Sequence, residues 1–192
     1  MTKAADVLKS LEELGKKQYL PSIGPVKGKI VVDIIKKYQP KNILEIGSLY
    51  GYSAILMASV LPDVGRVVAI EIDKKNADIA KKNIKDAGFL NKIDLLIGNA
   101  LELIPRLDYK FDLLFLDAAK NEYLQYLNLA EEKNLIKKNA IIIADNVGIF
   151  KNEMLDYLEY IRNSGIYKSE TIETTLEFAK DRDAIEVSVR VV

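Results

Sequence analysis

Acidic side chains end four separate apolar runs of the sequence. They are Glu45 in NILEI, Glu71 in VVAIEI, Asp117 in LLFLD, and Asp145, followed by Asn146, in AIIIADN. A carboxylate that directly follows several buried apolar residues is costly unless it reaches solvent, a partner or a ligand. Any one of them alone is better explained as a helix cap or a solvated loop residue. All four together favour a binding site that needs acids.

The last two of these positions predict a site for a hard divalent cation. Asp117, Asp145 and Asn146 would supply three oxygen ligands from two neighbouring strand ends. Mg²⁺ prefers octahedral oxygen coordination and seldom fills its shell with protein groups, so these ligands leave room for water and substrate. Lys120 follows Asp117 by three residues. Its simplest interpretation is a solvated lysine, but beside a metal-bound hydroxyl a lysine can accept the departing proton.

The sequence contains no cysteine and no histidine. This composition excludes disulfides, thiol nucleophiles, imidazole bases and the usual zinc or copper sites. A metal site must then use oxygen ligands, and a base near neutral pH must be a carboxylate, a tyrosine or an assisted lysine. The lack of cysteine, together with abundant Lys, Glu and Ile, is also a compositional trend of thermophilic proteins.

A short glycine loop separates the first apolar run from a helix-like segment. Gly47 and Gly51 bracket Ser48-Leu49-Tyr50, and Ser53 follows near the helix start, where free N–H groups favour an anionic group. The spacing matches neither the dinucleotide fingerprint nor a P-loop, and a purely structural turn explains it equally well. Glu71 stands where doubly wound folds place the acid that binds ribose hydroxyls. A nucleoside with an amino-acid tail, such as S-adenosylmethionine (SAM), fits this combination better than NAD does.

From Lys41 onward, strands and helices alternate between these residues. Five apolar runs predict parallel strands at 42–46, 66–72, 92–97, 111–117 and 140–145. Helical spacing predicts helices near 52–61, 74–87, 99–107, 123–133 and 150–163. This alternation predicts an α/β fold, with a sheet covered on both faces and strands that end at one common edge. The final runs, 167–174 and 185–191, follow each other without a helix and predict an antiparallel pair.

Residues 1–40 precede the alternating pattern. They predict a helix over 3–18, a loop from Tyr19 to Gly28, and a second helix that ends near Pro40. At 192 residues we expect a single domain, 1–192, with residues 1–40 covering the site. Lys+Arg and Asp+Glu balance at 28 each, so no long-range field recruits nucleic acid or a membrane. The sequence has no membrane-length apolar run and no signal peptide, so we expect a cytoplasmic location.

Six motifs together carry a family resemblance. They are ILEIGSLYGYSAILMA, AIEID, LLIGNALELIPRL, LFLDAAKNEYL, IIIADNV and TTLEF, within a likeness that extends from about Tyr19 to the C-terminus. The sequence resembles the small-molecule O-methyltransferases that use SAM and magnesium, and within that family the catechol O-methyltransferases most closely. The specific part is Asp-x-x-Lys, Ala-Asp-Asn-Val and Leu-Glu-Phe in this order. The resemblance implies a Rossmann-like class I methyltransferase fold with a seven-stranded, mostly parallel sheet.

The resemblance also implies a role for individual residues. The residues implied to contact SAM are Ile23, Glu45, Gly47, Tyr50, Ser53, Glu71, Gly98, Ala100 and Asp117. Mg²⁺ would be held by Asp117, Asp145 and Asn146, and Lys120 would be the catalytic base. Glu177 would accept a hydrogen bond from the second hydroxyl of a catechol-like acceptor. The other implied acceptor contacts are Lys120, Asn146, Tyr19 and Phe150.

The substrate walls depart from the pattern of the resembled family. Tyr19, Ala119 and Phe150 stand where two tryptophans and a proline line the slot, and Ala118 replaces a histidine. The chain contains no tryptophan at all. The chelating residues are therefore kept, whereas the walls that select the aromatic ring are changed.

Two other functions are compatible with the sequence. One is a methyltransferase that acts on hydroxylated uridine in tRNA, which would need a basic track near the entrance, such as Lys16, Lys17, Lys27 and Lys29. The adjacent Glu12 and Glu13 make a solvated charged face the better interpretation of these lysines, so nucleic acid is not the expected partner. The second is a non-catalytic SAM-binding protein, which would not need a chelating triad and a base. A homodimer is compatible with either function.

Overall fold

The structure is a computed structural model that describes residues 3–177, 179 and 181–192. The described residues form one seven-stranded sheet with the strand order β3-β2-β1-β4-β5-β7-β6. The strands are β1 (Asn42–Ile46), β2 (Arg66–Glu71), β3 (Ile93–Ile97), β4 (Phe111–Leu116), β5 (Ile136–Ala144), β6 (Tyr167–Thr175) and β7 (Arg182–Arg190). Strands β1 to β5 pair in parallel, and β7 pairs antiparallel with both β5 and β6. The predicted α/β class and the antiparallel final pair are confirmed.

Helices cover both faces of the sheet. They are α1 (Lys3–Lys17), α2 (Gly24–Tyr38), α3 (Tyr52–Val60), α4 (Lys74–Ala87), α5 (Ala100–Leu103), α6 (Tyr123–Glu132) and α7 (Leu155–Asn163). Short 3₁₀ turns lie at Ile104–Arg106, Lys120–Glu122 and Lys151–Glu153. None of the helices in the described ranges is long and apolar enough to span a membrane.

Side chains of the central strands alternate between two apolar layers. Leu44 and Ile46 of β1 pack with residues of α5, α6 and α7, whereas Ile43 packs with residues of α1 to α4. Glu45 shares the face of Ile43, and its neighbours across the strand pairs are Ala69 and Phe115. This acid therefore lies in an apolar layer, with no exposed surface (0%).

The sheet places the site at the point where the chain changes direction. Strand β1 is flanked by β2 on one side and by β4 on the other, so the connections after β1 and β4 leave to opposite sides. Open α/β sheets bind ligands in the crevice outside the carboxyl ends of such strands. The acidic positions found in the sequence lie at or just after these carboxyl ends.

Three predicted boundaries were wrong by four residues or more. The predicted loop from Tyr19 to Gly28 ends earlier, because α2 begins at Gly24 and Pro25 occupies its first turn, where a missing N–H costs nothing. Strand β5 begins at Ile136 rather than Ala140, because a register shift opposite β4 and a left-handed Asn139 (φ 64°) interrupt its apolar pattern. Helix α7 begins at Leu155, after the 3₁₀ turn, rather than near residue 150.

Candidate active site

A cavity of about 920 Å³ opens at the carboxyl ends of the parallel strands. Eleven of the site residues predicted from the sequence line it: Tyr19, Gly47, Glu71, Gly98, Ala100, Asp117, Lys120, Asp145, Asn146, Phe150 and Glu177. Tyr50 and Ser53 line a small neighbouring cavity, which shares Gly47 and Asp117 with the large one. Of the described candidates, Ile23 and Glu45 border neither cavity and are fully buried behind the walls.

The glycine loop brings the ends of β1 and β4 into close contact. Gly47 has a φ of +92°, and a Cβ atom on it would lie 2.1 Å from the backbone oxygen of Asp117. Only glycine satisfies both the backbone angle and the contact. The requirement explains why the first strand stops at this residue, and it places the loop directly beside Asp117.

Glu71 ties the glycine loop to the end of β2. The N–H of Leu49 donates to Glu71 Oε2 at 2.6 Å, and the N–H of Asp73 donates to Oε1 at 2.9 Å. Leu49 adopts a left-handed φ of 48°, which is uncommon for a leucine and turns its N–H toward the carboxylate. Asp73 also caps α4 by accepting the N–H of Asn76. Glu71 is therefore held rigidly at the rim of the cavity.

Glu45 is a buried carboxylate without hydrogen bonds of regular geometry. Neither of its side-chain oxygens has a hydrogen-bond partner among the described residues. Burial raises the pKa of Glu45 to about 8, an effect that Ser53 and Ser48 partly offset and that the charges of Asp117 and Glu71 increase. A buried acid of this kind favours a cationic neighbour. The loop beside Glu45 therefore fits a ligand that carries positive charge, such as the sulfonium or ammonium group of SAM.

Lys120 is not the solvated lysine of its simplest interpretation. Its Nζ donates to Asp117 Oδ1 at 2.8 Å and to Tyr123 Oη at 2.9 Å. The two charged side chains are largely buried, with 13% and 16% of their surfaces exposed. Tyr123 in turn donates to the backbone oxygen of Asp145 at 3.2 Å. The 3₁₀ turn after β4 thus directs Lys120 to the point between Asp117 and the end of β5.

Asn146 is oriented by a residue that sequence reasoning missed. Its backbone is left-handed (φ 63°), a conformation that asparagine tolerates. Its Nδ2 donates to Asp183 Oδ2 at 2.8 Å, which leaves the amide oxygen Oδ1 to face elsewhere. Asp183 also accepts the N–H groups of Gly148 and Ile149, so it organises the whole turn after β5.

Lys27 was predicted to belong to a solvated charged face, and that prediction was wrong, because its side chain is buried against two carboxylates. It is 2% exposed, and its Nζ lies 2.7 Å from Asp145 Oδ1 and 2.6 Å from Asp183 Oδ2. Burial alone would lower the pKa of Lys27, but Asp145 and Asp183 outweigh it and raise the pKa, so the ammonium stays charged at neutral pH. A signal was present in the sequence, because Lys27 shares one helical face with Val31 and Ile34.

Asp145 is enclosed by charges of both signs. Burial and the nearby Asp117 carboxylate raise its pKa, whereas Lys27 and Lys120 lower it. Asp117 and Asp145 line the same cavity, as joint ligands of one cation would. Among the described residues no three acidic side chains form a metal cluster, so a cation here would use two carboxylates and the Asn146 amide. This hard-oxygen donor set fits Mg²⁺.

Glu177 closes the site from the side of β6. Its Oε1 accepts the N–H groups of Val26 at 2.5 Å and Lys27 at 3.1 Å, so it caps the first turn of α2. Gly24 makes this approach possible, because a Cβ atom on it would lie 2.3 Å from Glu177 Cγ. Burial raises the pKa of Glu177, and the two N–H groups partly counter that effect. Phe178, which completes the TTLEF motif, lies outside the described residues.

Aromatic side chains lie at the entrance of the cavity, and short side chains line part of its wall. Tyr19 is 90% exposed and Phe150 is 37% exposed, so both lie at the mouth rather than deep inside. The half-buried Ala118 and the exposed Ala119 line the cavity beside Asp117. Their short side chains leave open space where larger ones would restrict an acceptor.

Comparison with known proteins gives consistent matches along the chain. A family model described as O-methyltransferase matches residues 2–166. Catechol O-methyltransferase from Mus musculus is 35% identical over 91% of this chain and 67% of its own length. Catechol O-methyltransferase from Sus scrofa is 32% identical over 87% of this chain and 91% of its own length.

Solved structures match the fold closely. An O-methyltransferase from Bacillus cereus in complex with SAH superposes with a TM-score of 0.84 and 27% identity, covering 98% of this chain and 90% of that one. The O-methyltransferase TomG from Streptomyces achromogenes in complex with SAM gives a TM-score of 0.86 and 25% identity, covering 97% and 90%. The sheet order, with its antiparallel final pair, is thus that of known methyltransferases.

Proposed function

The chain belongs to the O-methyltransferase family, and on that premise we propose that it methylates one hydroxyl of a catechol-like small molecule with the help of Mg²⁺ and Lys120. It is a SAM-dependent O-methyltransferase of the catechol O-methyltransferase type. The proposal for the acceptor rests chiefly on one observation, the Lys120–Asp117 contact next to Asp145 and Asn146 in the cavity. We propose that residues 1–192 form one methyltransferase domain.

SAM would occupy the part of the cavity beside β1 and β2. Glu71 would accept the ribose hydroxyls while its own oxygens remain fixed by the N–H groups of Leu49 and Asp73. The carboxylate of Glu45, which lies behind the glycine loop, would balance the positive charge of the ligand. The remaining proposed contacts are Ile23, Gly47, Tyr50, Ser53, Gly98, Ala100 and Asp117.

The acceptor would lie at the ends of β4 and β5. Asp117, Asp145 and Asn146 would hold Mg²⁺, which when bound would supply Lewis acidity that lowers the pKa of the reacting hydroxyl. Lys120 Nζ, in its neutral form, would take the hydroxyl proton. The oxygen forms a bond to the methyl carbon as the carbon–sulfur bond breaks, and the electron pair stays on sulfur to give SAH. The cavity walls would align oxygen, carbon and sulfur, and this alignment would lower the activation free energy by a large fraction.

The second hydroxyl of the acceptor would be held by Glu177. Its Oε1 is engaged by the start of α2, so the bond to the acceptor would use Oε2. Tyr19 and Phe150 would cover the ring at the entrance. Because Ala118 and Ala119 leave the inner wall open, we propose that acceptors with substituents on the ring are accommodated.

A direct test combines the protein, SAM, Mg²⁺ and a panel of catechols with matched monophenols. We expect methyl transfer to catechols, little transfer to monophenols, and loss of transfer when EDTA removes the metal. Calorimetry with SAM alone checks that the cofactor site is intact. Cofactor binding without transfer to any catechol would reject the acceptor class, and undiminished transfer in EDTA would reject the metal.

A further inference from the structure

Lys27 places a buried ammonium group directly against one of the proposed metal ligands, Asp145. Its Nζ lies 2.7 Å from Asp145 Oδ1 and donates to Asp145 Oδ2 at 3.0 Å. The same Nζ donates to Asp183 at 2.6 Å. The side chains of Lys27, Asp145 and Asp183 are 2%, 3% and 0% exposed, so water does not screen these contacts.

The proposed metal ligands are therefore already balanced by lysines. Asp117 pairs with Lys120, and Asp145 pairs with Lys27. A divalent cation that binds at Asp117 and Asp145 adds positive charge, and neither ion pair has a spare negative charge to balance it. A catechol that has lost a proton brings the missing negative charge, because its oxygens bind the same cation.

We infer that Lys27 is an internal counter-ion that weakens the binding of free metal at Asp145 and makes metal binding depend on an anionic acceptor. The inference rests on the proposed function, because it assumes the metal set of Asp117, Asp145 and Asn146. It goes further by assigning a role to a lysine that would contact neither the cofactor nor the acceptor.

Two effects of Lys27 on metal binding oppose each other. As a support for Asp145, Lys27 would strengthen binding, and loss of such supporting contacts typically weakens metal affinity by about 10- to 100-fold. As a positive charge in contact with a ligand carboxylate, it repels the metal. In a poorly screened site Coulomb repulsion between a unit charge and a divalent ion at close range exceeds that support. The net effect of Lys27 is therefore repulsive, and its removal should tighten binding.

The test measures the dissociation constant of Mn²⁺ from the loss of its free EPR signal, so it does not depend on activity. Lys27→Met should lower the dissociation constant at least about tenfold, because the repulsive charge is removed. Asp183→Asn should raise the dissociation constant severalfold. The Asp183 carboxylate no longer offsets the positive charge of Lys27, which then acts more strongly at Asp145. Lys137→Met is the matched control, since it breaks the Lys137–Asp112 pair near the start of β4 and should change nothing at the site.

A second measurement repeats the titrations with SAM and 4-nitrocatechol, an acceptor that ionises readily. The wild-type protein should bind Mn²⁺ much more tightly with these ligands than without them, and Lys27→Met should show a smaller gain. If Lys27→Met does not fold, the comparison of Asp183→Asn with the double variant Lys27→Met/Asp183→Asn still shows whether Lys27 weakens or strengthens Mn²⁺ binding. The double variant should bind Mn²⁺ more tightly than Asp183→Asn does.

The outcomes separate the possible roles of Lys27. Weaker Mn²⁺ binding in both Lys27→Met and Asp183→Asn would show that the pair only supports the ligands, which overturns the inference. Equal binding in all folded variants would overturn it as well. If no variant binds Mn²⁺ even with 4-nitrocatechol, the metal assignment fails together with the inference. Methyl transfer by the wild-type protein, measured separately, shows whether the proposed function holds even when the inference about Lys27 fails.

Discussion

The two sides of the cavity hold their carboxylates in different ways. On the cofactor side, at the ends of β1 and β2, Glu71 is fixed by two backbone N–H groups and Glu45 has no regular hydrogen bond. On the acceptor side, at the ends of β4 and β5, Asp117 and Asp145 are each paired with a lysine. A backbone N–H group stays in place, whereas a lysine side chain can move away when a metal binds or, in its neutral form, accept a proton.

This difference indicates that the two sides perform different tasks. The cofactor side holds its carboxylates in fixed positions, and Glu45, whose burial favours the protonated form, would ionise when a cationic ligand binds beside it. The acceptor side contains groups whose partners must change during a reaction cycle. Substitutions on the acceptor side should therefore affect turnover, and those on the cofactor side should affect cofactor binding and stability.

The largest expected effect is on the acceptor side. Lys120→Met removes the proposed base and should lower kcat by about 10²- to 10⁴-fold, the usual contribution of a positioned proton acceptor. The affinity for SAM should change far less than kcat, since Lys120 contacts Asp117 but neither Glu71 nor the glycine loop. The exposed Lys138→Met serves as the control. Steady-state kinetics and calorimetry measure the two quantities, and a normal kcat in Lys120→Met would remove its role as the base.

Glu45 tests the cofactor side through the pH dependence of stability. Its pKa is raised to about 8 by burial, from 4.5. The protonated form is thus favoured in the fold, and the associated stability is full below pH 4.5 and is lost as the pH rises toward 8. Without cofactor, Glu45→Gln should therefore be more stable than the wild type at pH 9, by up to about 5 kcal/mol, and equal to it near pH 4.

Urea unfolding at a series of pH values measures the Glu45 effect as the difference between the two proteins. Contributions from groups common to both proteins cancel in that difference. Glu71→Gln is the contrasting variant, because its amide NH₂ would face one of the two N–H groups, of Leu49 or Asp73, and should destabilise at every pH. A Glu45→Gln difference that does not change with pH would mean that Glu45 is ionised in the fold.

Gly47 tests the contact that joins the two sides. An alanine there would require a left-handed backbone and would place its Cβ 2.1 Å from the Asp117 backbone oxygen. Strain and overpacking together should destabilise Gly47→Ala by about 3 kcal/mol. Gly88→Ala is a matched control, because Gly88 has a similar φ of +83° but no atom within 4 Å of the added Cβ. It should lose only about 1 kcal/mol, and equal losses in denaturant titrations would show that the contact with Asp117 is relaxed.

Much of the fold could be predicted because its signals are local. Strand β1 (Asn42–Ile46) and helix α4 (Lys74–Ala87) have the predicted bounds, since an apolar β-branched run, an Asp73 cap and a terminal Gly88 define them within a few residues. The start of α2 was missed because Gly24 and Pro25 are typical of loops as well as of a helix start. Local sequence alone does not decide between these two.

The candidate site was only partly predictable for a related reason. Asp117, Lys120, Asp145 and Asn146 could be found because each directly follows a strand whose end is predictable. Lys27 and Asp183 are 156 residues apart, and their ion pair exists only after α2 packs against the start of β7. No local pattern specifies that packing, although a lysine on the apolar face of α2 required a buried acid somewhere.

The smallest expected effect concerns Tyr123, which links Lys120 to β5. Tyr123→Phe removes the hydroxyl that accepts from Lys120 Nζ and donates to the Asp145 backbone oxygen. Loss of one such link should cost about 1 kcal/mol and lower kcat roughly fivefold, with SAM affinity unchanged. Tyr160→Phe, which loses only a bond to Glu131, should keep a normal kcat. If Tyr123→Phe weakened SAM binding instead, the two sides of the cavity would be coupled through Asp117, and their separation into fixed and exchangeable carboxylates would fail.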